Sequence, residues 1–196
     1  MKDTIKKLIT STGIVNDELI IANLLSNLLF SFSYPSVHCT LIKAVDEKMI
    51  SINSIVICIA GMTFPMMWNR YSERLYKKFG YMLTTEGILY IILTAAFITG
   101  FVTTKAYYII DTLLYAVISK NILCGCNKLR VLRYKGNERE TYDNNSNIIA
   151  NFSSLIGFVL SSIIALDFYM SFVIMCFGAI VDNIFYYKAY KNTQIS

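Results

Sequence analysis

The chain has 196 residues, with 18 Lys and Arg against 13 Asp and Glu, a formal charge of +5 and one histidine. Hydrophobic residues make up 55% of it, charged residues 16%, and mean hydropathy is +0.50, which excludes a water-soluble bundle whose helices carry a charged outer face. Nucleic-acid binding is excluded too, because that needs a solvated basic patch with interleaved aromatics.

A hydrocarbon core about 30 Å thick requires roughly 20 apolar residues per helix. Six runs meet that length: Leu19 to Ile42, Met49 to Met67, Tyr81 to Val102, Ala106 to Cys126, Asn147 to Leu166, and Phe168 to Tyr187. They predict an all-α membrane protein in three parts: a cytoplasmic N-terminal segment 1–18, a six-helix transmembrane bundle 19–187 and a cytoplasmic tail 188–196. Too little chain remains for a soluble catalytic domain. A transmembrane barrel would need short alternating strands, which are absent from the pattern.

In chain order, the N-terminal segment is Lys-rich (Lys2, Lys6, Lys7). The run after it is too long for a signal-peptide core and lacks a small-residue cleavage site, so it is expected to remain in the mature protein. Within that first run, Asn23, Asn27, Ser31, Tyr34 and His38 recur at intervals of three or four and share one helical face. Polar residues at this density belong against protein or water rather than lipid. Pro35 interrupts the helix there and frees a carbonyl. The second run shows a small-residue face, Ser51, Ser54, Cys58 and Gly61, of the kind that lets helices pack closely.

The third run carries Glu86 and the fourth carries Lys120, each five or six residues from the same membrane face. A buried structural ion pair is expected between them. The fourth run also has a polar stripe, Tyr107, Asp111, Tyr115 and Ser119. Asp111 and Lys120 lie nine positions apart, on opposite sides of an ideal helix, so Asp111 is assigned to a cavity and Lys120 to packing. A third stripe, Asn147, Asn151, Ser154 and Ser161, falls in the fifth run. Asp182 in the sixth run is expected to snorkel to the surface.

Lysines and arginines set the topology, since cytoplasmic loops hold an excess of them. The termini and the loops after runs two and four contain Arg70, Arg74, Lys77, Lys78, Lys128, Arg130, Arg133, Lys135, Arg139, Lys188 and Lys191. The other side has Lys43, Lys48 and Lys105. Both termini are therefore expected in the cytoplasm, of a plasma (inner) membrane protein. The five cysteines show no paired spacing and are expected as free thiols. Neither a metal motif nor a Gly-rich phosphate loop nor a nucleophile elbow is present, so no metal, no cofactor and no enzymatic activity are expected.

The loop after the second run reads Asn69, three residues, Glu73-Arg74, Leu75, Tyr76, Lys77-Lys78. It resembles the loop between helices two and three of the major facilitator superfamily, where a glycine is followed after three residues by Asp-Arg, one residue, a second glycine and two basic residues. The acid, the arginine and both basic residues fit; the two glycines are replaced. Six spans with an inner N-terminus, and a longer basic loop after helix four, are similar to the family's N-terminal half.

The resemblance implies a gate on the inner face, in which Glu73, with Arg74, Lys77 and Lys78, meets Arg130, Arg133 or Arg139. It also implies a solute site near the midplane between two six-helix halves, so a homodimer or a second transporter half is expected as partner within the lipid bilayer. Cavity-lining helices one, four and five would then supply Asn27, Ser31, Tyr34, His38, Asp111, Tyr115 and Asn151 to a small-molecule solute. Asp111 and His38, at similar depth, are the expected proton-coupling pair. The function expected from sequence is a small secondary-transporter-like protein working by alternating access. The alternative is a non-transporting membrane partner, immunity or regulatory protein derived from such a half.

Overall fold

The computed structural model describes residues 17–164 and 166–195. The expected segment 1–18, with Lys2, Lys6 and Lys7, lies outside the described residues except for Asp17 and Glu18. Six helices span the rest: α1 (Glu18–Lys43), α2 (Glu47–Tyr76), α3 (Phe79–Ile98), α4 (Thr104–Arg133), α5 (Asn137–Ile163) and α6 (Phe168–Ile195). All six are long and apolar enough to cross a membrane, which makes this an integral membrane protein.

Several helices extend past the expected spans, because their polar ends continue the hydrogen-bond ladder beyond the apolar run. α2 carries on through the basic stretch to Tyr76, bending at Tyr71 (φ −123°, ψ 26°), and α3 begins three residues later. The expected gate loop is therefore mostly helix. The tail 188–195 is likewise the last two turns of α6.

Acids and a threonine start the helices. Asp17 accepts from the Leu19 amide at 2.9 Å, Asp46 from Met49 at 2.8 Å, Asp167 from Tyr169 at 2.7 Å and Thr103 from Ala106 at 3.3 Å. Each satisfies an amide that has no intrahelical partner and, for the acids, complements the helix dipole. Gly136, with φ +54°, turns the chain into α5 in a region that disfavours side chains with a Cβ. Hydroxyls within the spans bond back one turn, as Ser33 does to Leu29 O (2.7 Å) and Thr63 to Ile59 O (2.8 Å), so they remain satisfied without water.

Two apolar clusters form at opposite ends of the bundle. One, centred on Leu19, Trp68, Phe79, Leu83, Leu129 and Tyr142, lies at the end where α1 begins and α6 finishes. The other gathers Val37, Leu41, Leu93, Phe97, Tyr107 and Phe172 at the opposite end. Because the first end also carries Arg70, Arg74, Lys77, Lys78, Arg133 and Lys188, it is called the basic end below.

α1 is the central helix and packs on both α5 and α6. Its contact with α5 is close: a Cβ at Gly157 would lie 2.7 Å from the Leu28 carbonyl oxygen. α2 is peripheral. Its Ile52, Ile55, Ile59, Met62 and Met66 recur at helical spacing and are exposed, as a lipid-facing stripe should be. The small-residue face Ser51, Ser54, Cys58 and Gly61 is also exposed, with nothing within 4 Å of a Cβ placed at Gly61, so the close packing expected there does not occur among the described residues.

Candidate functional site

Between the two apolar clusters lies a polar layer and a cavity of about 640 Å³. Polar side chains cannot be left facing lipid tails without cost, and here they turn inward from four helices: Ser26, Asn27, Tyr34 and His38 of α1, Glu86 and Tyr90 of α3, Asp111 and Ser119 of α4, Asp182 and Asn183 of α6. None of the buried residues of the basic-end cluster lines the cavity, whereas Val37, Leu41, Tyr107 and Phe172 of the other cluster do. The cavity is thus sealed toward the basic end and extends toward the opposite one.

Asn27, Tyr34, His38, Asp111 and Tyr115, all expected at the solute site, line this cavity together. The whole α4 stripe, Tyr107, Asp111, Tyr115 and Ser119, is among its walls. Two expected site residues are not. Ser31, 3% exposed, lies against Gly157, where its Cβ is 2.8 Å from the position a Cβ would take. Asn151 is exposed on the outside of the bundle.

α5 supplies no cavity residue. Its buried residues, Tyr142, Ser146, Ser153 and Gly157, are offset by one position from the expected stripe and serve the contact with α1. Asn23 belongs to that contact as well, donating to Ser146 Oγ (2.6 Å) and O (2.9 Å). In place of α5, helices α3 and α6 complete the walls. A strict helical period placed the α1 stripe on one face, but a face wider than one neighbour is divided between α5 and the cavity.

Glu86 and Lys120 do not pair. Ser119 Oγ donates to Glu86 Oε1, and the Tyr90 hydroxyl lies 3.5 Å from the same Ser119 Oγ. The Lys120 ammonium stands over the Tyr115 ring instead, 5.0 Å from its centroid. The cause is a π-helical turn, Tyr115–Ser119, in the middle of α4. The extra residue in that turn rotates Lys120 and the residues after it relative to an ideal helix, setting Lys120 above Tyr115, five positions back, while Ser119 meets Glu86. Asp182, expected to snorkel, lines the cavity beside Ser26. The expected snorkelling does not occur, because the turn of α6 that carries Asp182 faces the cavity.

The basic end is held by a different set of charges from the expected gate. Arg133 donates to Glu18 at 2.7 Å and lies 3.9 Å from Asp17, Lys188 lies 3.8 Å from Glu18, and Asn192 donates to Glu18 at 3.2 Å. Tyr134 donates to Asp17, and both burial and that acid push its phenol pKa up. These bonds tie α1, α4 and α6 together.

Glu73 is exposed and in no ion pair among the described residues. Arg139 pairs with Asp143 on its own helix (3.8 Å), and Arg130 donates to Asn127. The expected pairing of Glu73 with Arg130, Arg133 or Arg139 is therefore absent, since the helical continuation of α2 leaves Glu73 facing away. Arg133→Ala should lower stability by about 1.5–3 kcal/mol, the range for hydrogen bonds to charged groups, because Glu18 is only 15% exposed in its side chain. Reversible unfolding in mixed detergent micelles measures this, and an unchanged midpoint would show the network to be surface decoration.

The chain is thus an all-helical membrane protein with a polar, acid-containing cavity among its helices. No protein-family model, no curated protein and no solved structure matches it.

Proposed function

We propose that the protein is a small secondary-transporter-like membrane protein. It resembles the N-terminal half of the major facilitator superfamily, and moves a small solute by alternating access as a homodimer or with a partner half. The observation that carries this reading is the polar cavity between the two apolar clusters, closed off by one of them and extending into the other. A lipid-embedded protein has no packing reason to keep three carboxyl groups, Glu86, Asp111 and Asp182, around one cavity. By the excess of positive charge, the basic end and both termini are cytoplasmic, in a plasma membrane. The Asp17, Glu18 and Arg133 network then closes the inner side, and its rupture accompanies inward opening. Asp111 and His38, both on the cavity wall, are the proton-coupling groups.

Support for a second bundle comes from outside the cavity. Asn151 is exposed about 18 Å from the end of α5 at Ile163, at a rise of about 1.5 Å per residue. That depth is costly for an amide in lipid. The uncovered small-residue face of α2 suits close helix approach. The mass of the purified protein in a nanodisc, with lipid subtracted, is expected to correspond to two chains. A stable monomer that co-purifies with no second bundle would remove the paired-bundle mechanism.

A second reading, a non-transporting partner, immunity or regulatory subunit, is favoured by Glu73, which has no ion pair among the described residues while other residues hold the inner end. It predicts that proteoliposomes show no solute flux above the protein-free rate.

A further inference from the structure

Glu86, Asp111 and Asp182 line the cavity, and no lysine or arginine among the described residues does. Glu86 is bonded to Ser119 and Asp182 lies beside Ser26, but no hydrogen bond or ion pair reaches the Asp111 carboxyl among the described residues. The acids do not converge as a metal site: no group of three or more His, Cys, Asp or Glu among the described residues is placed to hold an ion. Spread around about 640 Å³, they suit an extended ligand, in a volume typical of small-molecule pockets.

Aromatic rings fill the wall between the acids. Phe30, Tyr34 and His38 follow one another along α1 with centroids 4.9 and 4.6 Å apart, and Tyr115 lines the cavity from α4, with the buried Tyr107 ring behind the wall. Carboxylates set among aromatic rings attract a cation with an apolar body, through charge pairing and the negative ring faces. Lys120 over Tyr115 shows that attraction at work at the cavity's border.

Asn183 of α6 lines the same cavity, its side chain set against the Glu86 carboxyl.

We infer that the cavity binds an extended organic cation, a protonated or quaternary amine with an aromatic body. Its charge sits at Asp111 and its body lies against the rings of Phe30 and Tyr34. The inference rests on the transport reading only in taking this cavity as the solute site; binding requires no transport.

The test is calorimetric titration of the full chain in detergent with phenethylamine, 2-phenoxyethylamine and (2-phenoxyethyl)trimethylammonium, against neutral 2-phenoxyethanol and anionic phenoxyacetate. The amines are expected to bind saturably below about 1 mM, a ΔG near −4 kcal/mol on the affinity scale, and the alcohol and the acid at least tenfold more weakly. Asp111→Asn should weaken amine binding tenfold or more. Absence of binding by all three amines, or binding of the alcohol as tight as theirs, would overturn the proposal. If Asp111→Asn does not fold, the comparison of ligands on the unaltered protein still decides. Amine binding without flux in proteoliposomes would remove the transport reading and leave the site standing. Flux of a neutral or anionic solute without amine binding would do the reverse.

Discussion

Asp111→Asn is expected to reduce entry of (2-phenoxyethyl)trimethylammonium into proteoliposomes to the protein-free rate while membrane levels stay unchanged. That quaternary amine cannot cross the bilayer as a neutral species, so its flux reports the protein. The substitution keeps the shape of the side chain and removes its charge. No protein group pairs with the Asp111 carboxyl among the described residues, so the fold loses no bond by the change. The solute loses its countercharge, an ion contact on the order of a few kcal/mol at an effective dielectric of about 20, which is a tenfold or larger drop in affinity. Proton coupling fails as well, because the amide has no proton to exchange. Asp111→Glu should retain part of the flux. An unaltered rate in Asp111→Asn would remove both roles assigned to this residue.

Gly157→Val is expected to destabilise the bundle by about 3 kcal/mol, near the upper part of the range for overpacking. A Cβ at this position would lie 2.7 Å from the Leu28 carbonyl oxygen and 3.0 Å from the Phe32 nitrogen. Both are backbone atoms, so no rotamer change can make room and α5 must move off α1. Without a hydrophobic driving force between helices in lipid, such close contact is a main source of association, and the neighbouring Asn23 to Ser146 bonds would lengthen with it. Gly157→Ala should cost less, since alanine favours the helix by about 1 kcal/mol. Gly61→Ala is the control: nothing lies within 4 Å of its Cβ position, so the chain's own stability should not fall. Steric-trap or mixed-micelle unfolding distinguishes the pair, and equal effects at both glycines would show that the α1 to α5 contact is not the tight one.

What the residues alone conveyed was one-dimensional. Run length and composition gave six spanning helices, with ends shifted by a few residues where polar turns such as Ser72 to Tyr76 continue a helix that hydropathy had ended. Periodicity correctly grouped Tyr107, Asp111, Tyr115 and Ser119 on one side of α4, because a helix fixes which of its own residues lie together.

Tertiary structure decided which neighbour each side meets. Helical period cannot say that Ser31 turns to Gly157 while Tyr34, three residues on, turns to the cavity; nor that Asn151 stays outside and Asp182 comes in. Glu86 and Lys120 had matching depth and opposite charge. Yet the carboxylate accepts from Ser119, and a π turn of five residues sets the ammonium over Tyr115, a local change of pitch that no residue pattern in α4 announces. Sequence by itself determined that this chain lives in a bilayer, because transfer into hydrocarbon depends on summed side-chain chemistry along each helix. Only the packing of those helices decided that its acids share one cavity, because that depends on rotations set by contacts between residues far apart in the chain.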